Sequence, residues 1–206
     1  MLAVVHNGVD LERFHPAGNA ARPTEPTVLF LGRVIPEKGP DILLRAARTL
    51  IGAKRRFRVR IVGSKGFSPN EPLSSYERRL RQIAEPIRDA VEFKPFVDRA
   101  RIIDEYARAS VFCVPSNWDD PCPLTLLEAL ACGLPTIASS RGGIPEIGGK
   151  ALLYFQPPSV SEFADRLAYL IDDESARADW GRRARDRVLG LGWDEQYRKL
   201  RQVVEA

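Results

Sequence analysis

An alternation of short apolar segments with amphipathic segments most constrains how this chain can fold. Segments of strand length, rich in β-branched and aromatic residues, predict strands at 27–34, 56–63, 91–93, 110–116, 135–140 and 151–155. The stretches between most of them carry apolar residues at helical spacing, so a helical crossover joins one strand to the next. The pattern predicts a doubly wound α/β domain, with a parallel sheet of about six strands covered by helices on both faces.

Helices are predicted from the same periodicity at 40–51, 76–90, 101–109, between Ser116 and Gly133, and at 159–172, 174–190 and 193–206. Pro86 is a candidate break in the second of these helices, because proline removes a backbone donor. The acidic pair in "IDDE" (171–174) is expected to cap the helix that follows.

The composition is that of an ordinary globular domain. The chain has 206 residues, of which 44% are hydrophobic and 28% charged, enough for one core. Its formal charge of +4 favours anionic small ligands or anionic membrane surfaces without requiring either. Without a long apolar run or a signal-like N-terminus, we expect a soluble, intracellular chain. Cys113, Cys122 and Cys132 lack CxxC spacing, so we expect reduced thiols and neither a disulfide framework nor a zinc site.

Ligands of doubly wound sheets bind beyond the carboxyl ends of the strands, which points to the loops after Gly32, Gly63, Phe93 and Ser116. The first loop, "LGRVIPEKG", contains neither a GxxxxGK[ST] nor a GxGxxG motif. Arg33 and Lys38 are either two cations that converge on one anion or solvated loop charges.

The loop after Ser116, "NWDDPCP", leads into a helix whose start is marked by aspartate and proline. The free amides of Leu124 and Thr125 near that N-terminus are expected to form an anion site. Asp119 and Asp120 resemble a metal-binding pair, but a helix cap with a favourable dipole contact is the commoner role of such a pair.

Glu128 stands alone in an apolar, mostly buried helix. It either accepts hydrogen bonds from a ligand diol or is satisfied by backbone amides or an arginine. The glycine pair in "SSRGGIPEIGG" (139–149) has two interpretations of its own. It forms an anion nest with Glu146 facing the same cleft, or it forms a tight turn in which Glu146 caps a short helix.

Taken together, the segments "HNGVDLERFHP", "LFLGRVIPEKGPDILLRAA", "VRIVG", "VEFKPFV", "YARASVFCVPS", "LLEALACGLPTIAS" and "GGIPEI" occur in a familiar order. Over essentially its whole length the chain resembles the C-terminal, nucleotide-binding lobe of family 4 glycosyltransferases, which have the GT-B architecture. The resemblance implies a Rossmann-like domain of a retaining, metal-independent hexosyltransferase. Its donor is expected to be a nucleoside diphosphate sugar, of UDP or GDP type, with no separate cofactor.

The resemblance also implies site residues. Arg33 and Lys38, following Gly32, are expected to clamp the diphosphate. Glu128 is expected to bind the ribose hydroxyls, and Asp120 to lie near the transferred sugar. Backbone around Pro123, Leu124 and Thr125 is expected to contact the sugar or phosphate, and the segment from Phe93 to Val97, with Phe96, is expected to hold the base. The resemblance therefore assigns catalytic roles to Arg33, Lys38, Asp120 and Glu128, and no metal site.

Three positions depart from the family pattern. Asp120 stands where glutamate is usual, Pro123 replaces a glycine, and Lys94 with Pro95 replaces a glycine after the third strand. The sugar-side contacts are the ones these changes affect. A degenerate, non-catalytic nucleotide-sugar-binding or interaction module is therefore an alternative, and a GT-B epimerase or phosphorylase is a weaker one.

The resemblance divides the chain into three parts. Residues 1–26 correspond to an interdomain linker-like segment, residues 27–192 to the nucleotide-sugar-binding domain, and residues 193–206 to a helix that returns to an N-terminal lobe. That lobe, which would precede residue 1, is expected to bind the acceptor sugar or lipid; His6 and His15 receive no catalytic role. We expect a cytoplasmic protein, with peripheral contact at the inner face of the membrane as an option, and no nucleic-acid partner.

Overall fold

A computed structural model describes residues 4–18, 24–66, 68 and 70–205. Its six strands are β1 (Thr27–Leu31), β2 (Arg58–Val62), β3 (Val91–Lys94), β4 (Val111–Val114), β5 (Thr136–Ser139) and β6 (Leu153–Phe155). They form one parallel sheet in the order β3-β2-β1-β4-β5-β6. The predicted doubly wound sheet is confirmed, although β1 ends at Leu31 rather than at residue 34.

The α-helices of the described residues are α1 (Pro40–Gly52), α2 (Ser75–Ala84), α3 (Ile102–Ala107), α4 (Leu124–Ala131), α5 (Ile144–Gly148), α6 (Val160–Asp172), α7 (Glu174–Val188) and α8 (Trp193–Val204). The predicted break near Pro86 is confirmed, since α2 gives way to a 3₁₀ segment at Glu85–Ala90. The predicted cap at "IDDE" is also confirmed, because the Asp173 side chain accepts a bond from the Ala176 amide.

Successive residues of each central strand enter different cores, because side chains alternate between the faces of a sheet. Val28 and Phe30 of β1 pack in one core with α1, α2 and α6. Leu29 and Leu31 pack in the other, to which α3, α4, α5 and α7 contribute. The near-continuous apolar runs in the sequence therefore reflect burial on both faces.

The segment before β1 packs on the second core. Val9 and Phe14 are buried there, and the Val9 amide donates to the Leu191 carbonyl at 3.0 Å. Of the part predicted as linker-like, residues 1–3 and 19–23 lie outside the described residues, and so does Ala206. Within α8, by contrast, Gln196 is the only buried residue.

All three cysteines are free thiols, as predicted, with Cys113 and Cys132 buried and Cys122 half-buried. Among the helices that the structure describes, none combines the length and apolar character needed to cross a bilayer.

The exits of β1 and β2 approach closely at Gly32 and Gly63. Gly63 has a φ of 128°, and a Cβ added there would lie 2.0 Å from the Gly32 carbonyl oxygen. We predict that Gly63→Ala lowers the free energy of unfolding by about 1–3 kcal/mol, because strain at positive φ and a backbone clash act together. Urea unfolding monitored by circular dichroism measures the change.

Gly52→Ala is the matched control. Gly52 is exposed at the end of α1, and nothing lies within 4 Å of an added Cβ. We expect this variant to keep or slightly raise the stability, because alanine favours helix. Equal losses in the two variants would contradict the proposed close approach at Gly63.

Candidate functional site

The candidate site lies at the carboxyl ends of β1 and β4, where the direction of the strand order reverses. The chain runs outward from β1 to β3 and then returns to β4 on the other side of β1, so the loops after β1 and β4 diverge. A crevice opens between such loops. Two adjoining cavities occupy it, and Leu31, Gly32, Arg33 and Thr125 line both.

The apolar cavity, of about 160 Å³, lies between the exits of β1 and β2 and the loop after β3. Val62, Phe96, Val97 and Ile102 form its walls, and Gly63 exposes backbone to it. Apolar walls of this kind favour a weakly polar group over a charged one.

The charged cavity, of about 250 Å³, lies over β1 and β4. Its polar lining comes from Arg33, Lys38, Ser116, Asp120 and Thr125. The two cations predicted to converge therefore line the same cavity. The interpretation of both as solvated loop charges is wrong for Lys38, whose side chain is only 20% exposed.

Arg33 and Lys38 differ in their partners. Lys38 pairs with the nearly buried Asp120 carboxylate, and its Nζ lies 5.5 Å from the centre of the Trp118 ring. Arg33 is exposed, and its guanidinium has no hydrogen-bond or ion-pair partner among the residues that the structure describes. An unpaired guanidinium beside a lysine is suited to an anion with several oxygens.

The loop that carries Asp120 is wedged between two turns. On one side the Asn117 amide donates to the Glu37 carbonyl at 2.8 Å. On the other side the Gly143 amide donates to the Asp120 carbonyl at 2.9 Å, and a Cβ on Gly143 would lie 1.9 Å from the Pro121 carbonyl oxygen. Glycine is therefore required at 143 for packing.

Two interpretations of the "GGIPE" segment are corrected by this packing. The Gly143 amide is occupied, so the glycine pair makes a tight turn and not an anion nest. Glu146 does not cap α5, because the N-cap is Gly143; instead its carboxylate lies 3.3 Å from His6 Nε2.

Helix α4 begins at the charged cavity without a side-chain cap. Its N-cap is Pro123, so the interpretation of Asp119 and Asp120 as a cap is wrong. Pro123 has no N–H of its own. Both acids have other partners, because Asp119 accepts a hydrogen bond from Arg141 at 3.2 Å and Asp120 pairs with Lys38. The first amides of a helix have no intrahelical acceptor, and here they adjoin Arg33 and Lys38. The helix dipole adds to the positive potential of the cavity.

Glu128 lies one turn along α4 from Thr125, and its side chain is 4% exposed. Tyr106 Oη donates to Glu128 Oε2 at 2.8 Å, and Arg99 Nη2 lies 3.5 Å from Oε1. Burial raises the pKa of the Glu128 carboxyl, while the Tyr106 hydroxyl and the Arg99 charge oppose that shift. Glu128 is thus satisfied by a tyrosine and a surface arginine rather than by backbone amides.

The structure does not bring all predicted site residues into one cavity. Gly32, Arg33 and Thr125 line both cavities, Phe96 lines the apolar one, and the lining of the charged one includes Lys38, Asp120, Pro123 and Leu124. Glu128 instead borders a separate small cavity beneath Arg99, which Leu124 shares with the charged cavity. The Arg99 side chain therefore covers the carboxylate.

The sequence did not indicate Tyr106, Arg99 or Trp118 as site residues. Tyr106 and Arg99 lie 22 and 29 positions before Glu128, and no local spacing relates them to it. The sequence offered one physical signal for such partners: Glu128 is a buried carboxylate on an apolar helix, and it needs a hydrogen-bond donor. Lys94, noted as a departure, pairs with the buried Glu105 at 2.6 Å. Across the described part of the chain, no group of three or more His, Cys, Asp or Glu side chains is placed to hold a metal ion.

The chain is similar to known proteins in sequence and in fold. The family model described as "Glycosyl transferases group 1" matches residues 12–187. Spore coat protein SA of Bacillus subtilis (strain 168) is 32% identical over 218 residues, covering 98% of this chain and 58% of its own length. A D-inositol 3-phosphate glycosyltransferase of Kribbella flavida is 34% identical over 207 residues, covering 93% of this chain and 47% of its own length.

Among solved structures, a sucrose-phosphate synthase from Thermosynechococcus elongatus superposes with a TM-score of 0.83 and 26% identity. The match covers 98% of this chain and 51% of that protein. The chain thus spans about half the length of the relatives it matches.

The opposite pKa shifts of two glutamates give a test of the site's electrostatics. The raised pKa of Glu128 means that its contribution to stability is present below the unfolded pKa, about 4.3, and is lost as pH rises through the folded pKa. We predict that Glu128→Gln, which mimics the protonated acid, gains stability relative to wild type between pH 4 and pH 7. Urea unfolding at several pH values measures this difference.

Glu92→Gln is the control of opposite sign. The Arg60 hydrogen bond lowers the pKa of Glu92, so its contribution is present above pH 4.3 and lost as pH falls. This variant is expected to be less stable than wild type at pH 7 and to approach it in acid. A Glu128→Gln variant that loses stability at pH 7 would contradict the assigned shift.

Proposed function

Because this chain belongs to the glycosyl transferases group 1 family, we propose that it is the donor-binding half of a retaining glycosyltransferase. Its ligand is a nucleoside diphosphate sugar of UDP or GDP type, from which a hexosyl group is transferred. The observation that carries the proposal is the charged cavity, whose lining combines Arg33, which has no ion-pair partner among the described residues, with Lys38 and the start of α4. That combination suits a diphosphate.

The proposed pose follows from the adjoining cavities. The diphosphate binds Arg33, Lys38 and the amides of Leu124 and Thr125, with Gly32 admitting it close to the backbone. The base enters the apolar cavity against Phe96 and nearby backbone. Since Arg33 and Thr125 line both cavities, a single ligand can span them.

Glu128 is proposed to accept hydrogen bonds from the ribose hydroxyls. It lies three residues along α4 from Thr125, and i and i+3 positions are neighbours on a helix. Arg99 covers the carboxylate, but its side chain is 65% exposed and its contact is 3.5 Å long. In the proposed pose Arg99 moves aside when the ribose binds, because the ribose hydroxyls replace it as donors to the carboxylate and the Tyr106 hydrogen bond remains.

The proposed chemistry is an electrostatic one. As the anomeric bond breaks, positive charge develops on the sugar and negative charge on the departing diphosphate. Arg33, Lys38 and the α4 amides stabilise the leaving group without a metal. The acceptor hydroxyl oxygen bonds to the anomeric carbon on the face from which the diphosphate departs, and the leaving phosphate takes the hydroxyl proton, so the configuration is retained. Asp120 is proposed to hold Lys38 toward the diphosphate from the sugar side of the cavity.

The acceptor is proposed to bind a second lobe. Trp193, Tyr197 and Leu200 are each about half exposed on α8 and recur at helical spacing, so they form an apolar stripe. We propose that this stripe packs against the lobe that corresponds to the unmatched half of the relatives. The acceptor is a sugar or a lipid, and a lipid would bring the protein to the cytoplasmic face of a membrane.

Calorimetric titration of the chain with UDP, GDP and ADP tests the donor site. We expect binding of at least one nucleotide, and we expect Arg33→Ala and Lys38→Ala each to weaken it about 10- to 100-fold, because each removes a charge-assisted bond to phosphate. Arg56→Ala is the matched control, because Arg56 is an exposed arginine just before β2, at the end of the strands opposite the site. Failure of all three nucleotides to bind at millimolar concentration would contradict the proposal.

The degenerate-module alternative gains support from Pro123, which provides no amide at the start of α4. In a protein that contains both lobes, we expect sugar transfer with retention of the anomeric configuration. Nuclear magnetic resonance of the product measures that configuration. The triple variant Asp120→Glu, Cys122→Phe, Pro123→Gly is expected to keep or raise the rate. Nucleotide binding without transfer in both proteins would favour the non-catalytic module.

A further inference from the structure

We propose that Tyr106 is a positioning residue that fixes the Glu128 carboxylate and thereby sets the preference of the site for ribonucleotides over 2′-deoxyribonucleotides. This inference rests on the proposed ribose contact of Glu128. It concerns a residue on α3 that is completely buried and that a nucleotide in the proposed pose does not touch.

The bond between the two side chains is short and shielded from water. Tyr106 Oη donates to Glu128 Oε2 at 2.8 Å, and Oη also lies 3.3 Å from the Thr125 carbonyl oxygen. A tyrosine hydroxyl has one hydrogen, and the carboxylate is the stronger acceptor. The hydrogen therefore belongs to the Glu128 bond, which links α3 to α4.

The Tyr106 ring cannot readily leave this position. Phe14 packs against it edge-on with centroids 5.9 Å apart, and Phe112 packs at 5.7 Å from the strand beneath. The three rings come from the N-terminal segment, α3 and β4, and all are buried. Side chains fixed by packing in this way hold their hydrogen-bond partners in one orientation.

Because Tyr106 fixes Oε2 of Glu128, Oε1 is the carboxylate oxygen that a ligand can reach. With Oε2 held by Tyr106, the other contact of the carboxylate within the described part of the chain is that of Oε1 with the exposed Arg99. Oε1 is therefore the oxygen that a ribose hydroxyl reaches when Arg99 moves. The Tyr106 bond also favours the ionised form of Glu128, which is the form that accepts hydrogen bonds at both oxygens.

The test compares the affinities of UDP and 2′-deoxy-UDP, or of the guanine pair if GDP binds better. Their ratio isolates the 2′-hydroxyl, whereas general damage to the fold weakens both ligands alike. We expect Tyr106→Phe to lower the wild-type preference for the ribonucleotide by about 3- to 10-fold while leaving the affinity for the deoxynucleotide nearly unchanged.

Tyr76→Phe is the matched control. Tyr76 also donates to a carboxylate, Asp41 Oδ1 at 2.7 Å, but it lies on α2 and lines neither cavity. This variant is expected to keep the wild-type preference. Phe14→Leu, which loosens the Tyr106 ring but retains its hydroxyl, is expected to lower the preference partially and provides a second readout if Tyr106→Phe does not fold.

Glu128→Gln separates failure of this inference from failure of the proposed function. If Glu128→Gln loses the ribonucleotide preference but Tyr106→Phe and Phe14→Leu keep it in full, the positioning role of Tyr106 is overturned and the ribose contact stands. If Glu128→Gln retains the wild-type preference, or if wild type has none, the ribose contact itself is refuted, and this inference with it.

Discussion

The position of β4 beside β1 is the constraint on which the rest of the structure depends. With β2 on one side of β1 and β4 on the other, the loops leaving β1 and β4 must part and leave a crevice between them. The same topology directs the N-terminus of α4 into that gap, because α4 follows the loop after β4. The strand order thus supplies both the space and part of its positive potential.

Glycines allow backbone segments at the edges of the gap to approach one another closely. Gly39 packs on the Pro115 carbonyl and Gly143 on the Pro121 carbonyl, each closer than any Cβ permits. These contacts hold the loop of Asp120 between two turns, so its carboxylate and Lys38 meet with little freedom on either side. A cation held by a fixed partner loses less entropy when it binds a ligand than one on a free side chain.

Strand number, sheet type and both candidate cations could be predicted from the sequence, because apolar periodicity and loop position are local properties. Partners could not. Asp120 pairs with a lysine 82 positions away and Glu128 with a tyrosine 22 positions away, and only the folded topology brings each pair together. The rule that predicts a helix cap for the acidic pair at 119–120 uses adjacent residues alone, and α4 in fact begins later, at Leu124, with Pro123 as its N-cap.

Asp120 is where the resemblance and the geometry diverge most. The family pattern has glutamate there, and a carboxylate longer by one methylene would reach further into the charged cavity. The Asp120 carboxylate instead forms an ion pair with Lys38, and only 6% of its side chain is exposed. A nearly buried carboxylate is stable only with a permanent partner, since removing one member of such a pair leaves an uncompensated charge. In the proposed complex Lys38 therefore stays at Asp120 and offers the diphosphate its remaining hydrogens. In the proposed mechanism the acid at 120 thus acts on the lysine, and its influence on the sugar passes through the phosphate.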